Sequence, residues 1–195
     1  MNRDAFLARL RSRPAGTHLP PLPDPVPPRP PASDDLCAAF TEAALATGSQ
    51  VVRGGAAELR AALRTFGRAE AALAQEAAEI RQLLGDLPVL PPGADPFLAA
   101  WGISLAEAGL AHTGSACLRR TASTSLLPSL VPPRAAIVVP LKSLYWELGD
   151  YLAQAPASGT VHVVSGPSRS ADIENDLSIG VHGPGEVLYL VWEAD

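Results

Sequence analysis

The chain has 195 residues, of which 47% are hydrophobic and 18% charged, and its formal net charge is −5. That length and balance suit one sizeable hydrophobic core, or one domain with a tail, and the acidic surplus excludes the basic face that nucleic acid requires. No apolar run approaches the roughly 20 residues of a membrane-spanning helix, and charges are scattered through Met1–Pro14 where a secretory leader needs an unbroken apolar stretch, so a soluble, cytoplasmic protein is expected.

The first thirteen residues suit a short amphipathic helix, with Phe6 and Leu10 four apart and Arg9 and Arg13 on another face. Residues 14–31 carry prolines at 14, 20, 21, 23, 25, 27, 28, 30 and 31, which forbid helix and sheet and favour an extended polyproline linker. The folded domain is therefore expected over 32–195. Ser33-Asp34-Asp35 reads as a helix start, Leu36, Phe40 and Ala44 as its buried face, and Gly48 as its stop. Val51-Val52 suggests a short strand. Leu59, Leu63 and Phe66 mark a second helix, and Leu73, Ile80 and Leu84 a third, closed by Gly85.

Ile103–Leu110 and Ser115–Leu118 read as strands flanking the turn His112-Thr113-Gly114. Ala135–Val139 is an apolar run that suits a strand buried on both faces. Lys142–Leu152 has helical spacing at Leu144, Leu148 and Tyr151, and Val161–Val164 and Val187–Trp192 complete the strand set. Helices alternating with short buried strands predict a layered α/β sheet.

The densest chemistry is expected from 160 onward. Val161–Val164 runs into Ser165-Gly166-Pro167-Ser168, and the polar stretch Arg169–Glu174 reads as a helix opened by that turn. A strand ending in a Gly/Ser turn before a helix leaves backbone N–H groups free at the sheet's carboxyl edge, where anions and polar ligands bind. The alternative is simple capping by Ser168 or Ser170, with Asp172 complementing the helix dipole. Asp172 and Glu174 put negative charge in that turn, which favours a hydroxylated ligand over an anion. Thr113-Gly114-Ser115 is a second candidate, since its small residues let a ligand approach the backbone, although a hairpin turn needs the same residue types.

Several chemistries are excluded by pattern. The glycines of Gly180–Gly185 lead from the predicted helix back to a strand, the reverse of a dinucleotide fingerprint. Ser170 stands where a serine-nucleophile elbow needs glycine. Cys37 and Cys117 are isolated and the four histidines dispersed, so neither a zinc site nor an iron–sulfur cluster is expected in this chain. His182 and Glu174 are the candidates for acid–base work.

The order Val164-Ser165-Gly166-Pro167-Ser168-Arg169-Ser170-Ala171-Asp172-Ile173-Glu174, followed by Gly180-Val181-His182-Gly183-Pro184, closely resembles the C-terminal signature of the lactate utilization protein C family (LutC/YkgG, the LUD domain). Ala106–Ser115 resembles a second family segment, with Glu107 where the family has Asp and His112 where it has Glu. The resemblance covers roughly residues 34–193 and is strong from 160 onward. It implies a three-layer α/β/α sandwich like the sugar-phosphate isomerases and CoA transferases (NagB/RpiA-like). It also implies a part in bacterial oxidation of L-lactate to pyruvate beside iron–sulfur partner proteins, which would hold the redox cofactors. The expectation is then an accessory, non-redox subunit binding a small hydroxy acid through Thr113, Gly114, Ser115, Ser165, Gly166, Pro167, Ser168, Asp172, His182 and Gly183. The alternative is a stand-alone enzyme acting on a small phosphorylated or CoA-linked substrate.

Overall fold

Ala135–Val139 and Val187–Val191 are the most apolar runs of the chain, and a computed structural model places them side by side at the centre of a parallel sheet. The structure describes residues 3–11, 35–156, 159–171 and 177–193. An amino-terminal helix α1 (Arg3–Arg11) lies within the expected bounds, whereas the proline-rich linker, Asp172 and Glu174 fall outside the described residues.

The domain opens with α2 (Leu36–Ala46), capped by Asp35, whose carboxylate accepts the Cys37 and Ala38 amides at 3.0 Å. It ends at Ala46, and Gly48, two residues on, adopts φ +85°, in line with the stop expected there. There follow β1 (Gln50–Gly54), α3 (Ala56–Gly67), β2 (Ala72–Ala74), α4 (Ala78–Leu84), β3 (Trp101–Leu105), β4 (Ala108–Leu110) and β5 (Ser115–Arg120). The rest comprises α5 (Leu127–Leu130), β6 (Arg134–Pro140), β7 (Leu144–Tyr145), α6 (Leu148–Gln154), β8 (Thr160–Val164), β9 (Arg169–Ala171), β10 (Leu177–Ile179) and β11 (Glu186–Trp192).

The five-stranded sheet has the order β1-β11-β6-β3-β2, and every neighbouring pair is parallel. Alternation along its central strands assigns two cores. Ala136, Val138, Leu188 and Leu190 face α3 and α4, meeting Leu59, Leu63, Ile80 and Leu83. Ile137, Val139, Tyr189 and Val191 face the other way, onto Phe40 of α2 and onto Ala116 and Leu118 of a second sheet, ordered β7-β4-β5-β8. Each fully buried Leu, Ile or Phe in these layers contributes about 1.5–3 kcal/mol relative to exposure. The outer face of the second sheet is closed by Tyr151 of α6 over Ala108, Leu110 and Cys117. Gly102 of β3 is held under α5 so closely that a Cβ there would meet the Pro128 carbonyl oxygen at 1.8 Å.

The mixed α/β architecture with a buried parallel sheet is as the sequence predicts; the layer facing α2 adds a second, smaller sheet beside the helix. Three local expectations are corrected. Leu73 belongs to β2, where Ala72 bridges Val89, and the helix starts only at Ala78. Lys142–Leu152 is a 3-10 turn, then β7, then α6, because Leu144 and Tyr145 pair with Gly109 and Leu110. Arg169–Ala171 is a strand in an antiparallel hairpin with Leu177–Ile179, not the first turn of a helix. The Ser168 N–H, one of the donors expected to be free at that turn, donates to the Pro184 carbonyl at 2.8 Å, and the Ser168 carbonyl accepts from Gly180 at 2.9 Å.

Candidate functional site

Antiparallel pairing of β5 with β8 sets Ala116 opposite Val164, so the residues just beyond, Ser115 and Ser165, come together although 50 positions separate them. Their hydroxyl oxygens lie 2.7 Å apart, and the Ser115 hydroxyl donates to Thr113 Oγ1 at 2.8 Å. Three hydroxyls thus line one end of the second sheet. The turn that carries them is clamped onto α2: Gly114 has φ +60°, and a Cβ there would sit 2.1 Å from the Ala44 amide nitrogen. Gly166, at φ +78°, is pressed equally close to Thr47, whose Oγ1 would lie 2.4 Å from an added Cβ. Only glycine combines that backbone with that approach.

Opposite the hydroxyls stands an aromatic and charged wall. The His112 amide donates to the Trp146 carbonyl at 3.0 Å, and its imidazole stacks on the Trp146 ring, with centroids 5.1 Å apart and planes 16° apart. Glu147 precedes α6, its own amide bonded to Asp150 at 3.0 Å, and its Oε1 lies 3.3 Å from His112 Nδ1. A carboxylate only accepts, so the hydrogen shared by this pair sits on Nδ1. Leu110, His112, Thr113, Ser115, Glu147, Leu148, Gly149, Val163 and Ser165 enclose a depression of about 420 Å³, within the range of small-molecule sites. Hydroxyls on one side and a His–carboxylate pair on the other can hold a small polar molecule and take a proton from it.

Tyr189 supports this arrangement from the parallel sheet. Its hydroxyl donates to the Val164 carbonyl at 2.8 Å and accepts the Gly166 amide at 3.1 Å, and burial pushes its pKa up to about 12. On the outer face, Glu107 accepts from Arg119 Nε at 2.5 Å and from the Tyr151 hydroxyl at 2.7 Å. Burial foremost, with the Glu107 hydrogen bond, raises Tyr151 to about 12, and burial with Glu107 nearby raises the Cys117 thiol to about 11.

Of the residues predicted to bind ligand, the structure gathers Thr113, Ser115 and Ser165 in one depression, while Gly114 and Gly166 let the two turns that carry them pack close to α2 and Thr47. It does not bring Ser168, His182 or Gly183 there. Gly183 packs near Ser168, and His182 is exposed on the 180–185 loop. The expected amide cradle at 165–168 is largely consumed: Gly166 donates to Tyr189, Ser168 donates to Pro184, and Pro167 has no N–H. Trp146, Glu147 and Tyr189 were not singled out from sequence. No spacing connects them to the serines, since their proximity arises from pairing between distant strands.

A model of the LUD domain matches residues 94–192. The chain is 34% identical over 98 residues to lactate utilization protein C of Bacillus subtilis, covering 46% of this chain and 41% of that protein. It is 36% identical over 103 residues to the Escherichia coli protein YkgG, covering 47% of this chain and 43% of that one. The matched region thus spans about two-fifths of the length of these relatives. A crystal structure of a DUF162 family protein from Deinococcus radiodurans superposes with a TM-score of 0.67 at 18% identity, covering 84% of this chain and all of that one, which establishes a shared fold. With the family match spanning half of the chain and including β3 to β11, the protein belongs to the LUD domain family.

Proposed function

We propose that this chain is an accessory, non-redox component of a lactate-utilization system, and that it binds a small 2-hydroxy acid in the depression between Ser115, Ser165 and His112. The observation that carries this reading is the convergence of three hydroxyls on a His–carboxylate pair within one small depression. Hydroxyls and imidazole match a ligand that offers a carboxylate and an alcohol within one small skeleton. The relatives named for lactate utilization support the same ligand class. The electrons of lactate oxidation would pass to partner proteins holding iron–sulfur clusters. The chain's two cysteines, one on α2 and one on β5, fall short of the four thiolates of a usual cluster.

The alternative, a stand-alone enzyme on a small phosphorylated or CoA-linked substrate, is disfavoured where it would need a phosphate cradle at the 165–168 turn, because the Gly166 and Ser168 amides are already bonded within the protein.

Calorimetric titration with L-lactate tests the proposal. Binding should be saturable, weaken about tenfold in Ser165→Ala through the loss of a hydrogen bond to a charged group, and be unaffected by His182→Ala. An absence of binding, or equal affinity in Ser165→Ala, would overturn the ligand assignment. Pull-down of the tagged full chain from cells grown on lactate should recover iron–sulfur proteins; recovery of none would remove the accessory role.

A further inference from the structure

The parallel sheet has a second feature that the Ser115/Ser165 depression does not use. β1, β11 and β6 are adjacent, and the chain leaves their carboxyl ends in different directions. From β1 it turns into α3, which packs on the face carrying Leu188 and Leu190. From β6 it continues through Leu141 and Leu144, which pack on the opposite face with Tyr189 and Val191. Divergence of two exits around one strand opens a crevice at the carboxyl edge of the sheet, the position at which open α/β sheets take ligands.

The crevice is present. Pro140, Leu141, Lys142, Trp192 and Glu193 enclose about 310 Å³ at the ends of β6 and β11. Its walls are apolar: Trp192 is 8% exposed, and Pro140 and Leu141 stand across from it. The charges at its rim are unequal. Glu193 is neutralised by Arg53, whose Nε lies 2.5 Å from Glu193 Oε1, and the Glu193 amide is tied back to the Gly54 carbonyl at 3.0 Å. Lys142 is exposed and forms no salt bridge among the described residues. An apolar slot edged by Trp192, with at its mouth an ammonium that has no salt-bridge partner among the described residues, is complementary to an apolar body bearing a single carboxylate.

We infer that the crevice at the carboxyl ends of β6 and β11 is a binding site for an organic acid with an apolar or aromatic body, which packs against Trp192 and pairs its carboxylate with Lys142. The site is separate from the Ser115/Ser165 depression and shares no lining residue with it. Its existence does not depend on the lactate reading.

The test uses the full chain, nitrogen-labelled, titrated with phenylacetate while the indole N–H signal of Trp192 is followed by NMR. A saturable shift is expected, with affinity falling about tenfold in Lys142→Gln, the loss due to one charge-assisted contact. Phenylacetamide, equal in shape and lacking the charge, should bind at least as weakly to the unaltered protein. Lys142 is exposed, so its replacement leaves the core intact. No saturable shift up to about 10 mM, in the weak-fragment range, would overturn the inference. So would equal binding of phenylacetate and phenylacetamide, or a shift insensitive to Lys142→Gln. Loss of the shift in Ser165→Ala with retention in Lys142→Gln would place the probe in the other depression and reject this site, leaving the lactate reading untouched.

Discussion

The Tyr189 hydroxyl accepts the Gly166 amide at 3.1 Å while donating to the Val164 carbonyl at 2.8 Å, so one side chain of the parallel sheet holds the turn that presents Ser165. Strand β11 therefore contributes to the site without lining it.

Tyr189→Phe removes both bonds and leaves two sheltered backbone groups without partners. Each unsatisfied buried group costs about 1–3 kcal/mol, so a stability loss of at least that size is expected from urea denaturation, together with weaker L-lactate binding. A variant as stable as the parent protein would show that water replaces the hydroxyl at no cost.

Gly114, in the turn that carries Thr113 and Ser115, should resist substitution for a reason separable from its backbone angle. Gly114 and Gly93 both have positive φ, +60° and +81°, but an added methyl meets the α2 backbone at Gly114 and nothing within 4 Å at Gly93. Gly93→Ala should cost about 1–2 kcal/mol, the left-handed penalty alone. Gly114→Ala adds overpacking of about 1–3 kcal/mol. Equal melting temperatures for the two variants would contradict the close approach.

Tyr189 contributes to the alkaline limb of stability, beside Tyr151 and Cys117, whose raised pKa values act over the same window. Tyr189 has a pKa raised by burial from 10.0 in its ordinary state to about 12. The folded protein then holds a proton that the unfolded chain releases first, so the contribution is complete below pH 10 and is lost as pH rises toward 12. Unfolding free energy measured across that window should fall, and Tyr189→Phe should flatten the slope. An unchanged slope would assign the alkaline loss to other groups.

Cys117 is buried on β5 with its thiol pushed up to about 11, and Cys37 is buried on α2. Because the thiolate is the reactive form, a thiol reagent near neutral pH should label native protein slowly and denatured protein at both cysteines. Rapid labelling of Cys117 in the native state would require an opening of the second sheet.

Glu107→Gln offers a further check on the outer face. Arg119 and the Tyr151 hydroxyl both donate to Glu107 Oε2. The amide keeps the shape and removes the charge, so the charge-assisted bond should weaken and thermal unfolding should shift downward, with lactate binding retained. A loss of lactate binding at unchanged stability would instead tie Glu107 to the site.

The sequence by itself determined the family, the buried parallel strands and the small-residue turns. Those signals are local: apolar β-branched runs at Ala135–Val139 and Val187–Val191, and the unusual order Ser165-Gly166-Pro167-Ser168. It misread Arg169–Ala171 as helix because a serine before polar residues is a legitimate cap signal, and nothing local announces the pairing partner at Leu177–Ile179. The tertiary structure alone decided which hydroxyls meet. Ser115 and Ser165 are joined by the register of β5 on β8, and His112 meets Glu147 because β7 pairs with β4. Helix caps and turns are chosen by neighbours along the chain, whereas a site built between strands is chosen by which strands pair, and that is set by burying the apolar faces of two sheets and the helices packed on them at once.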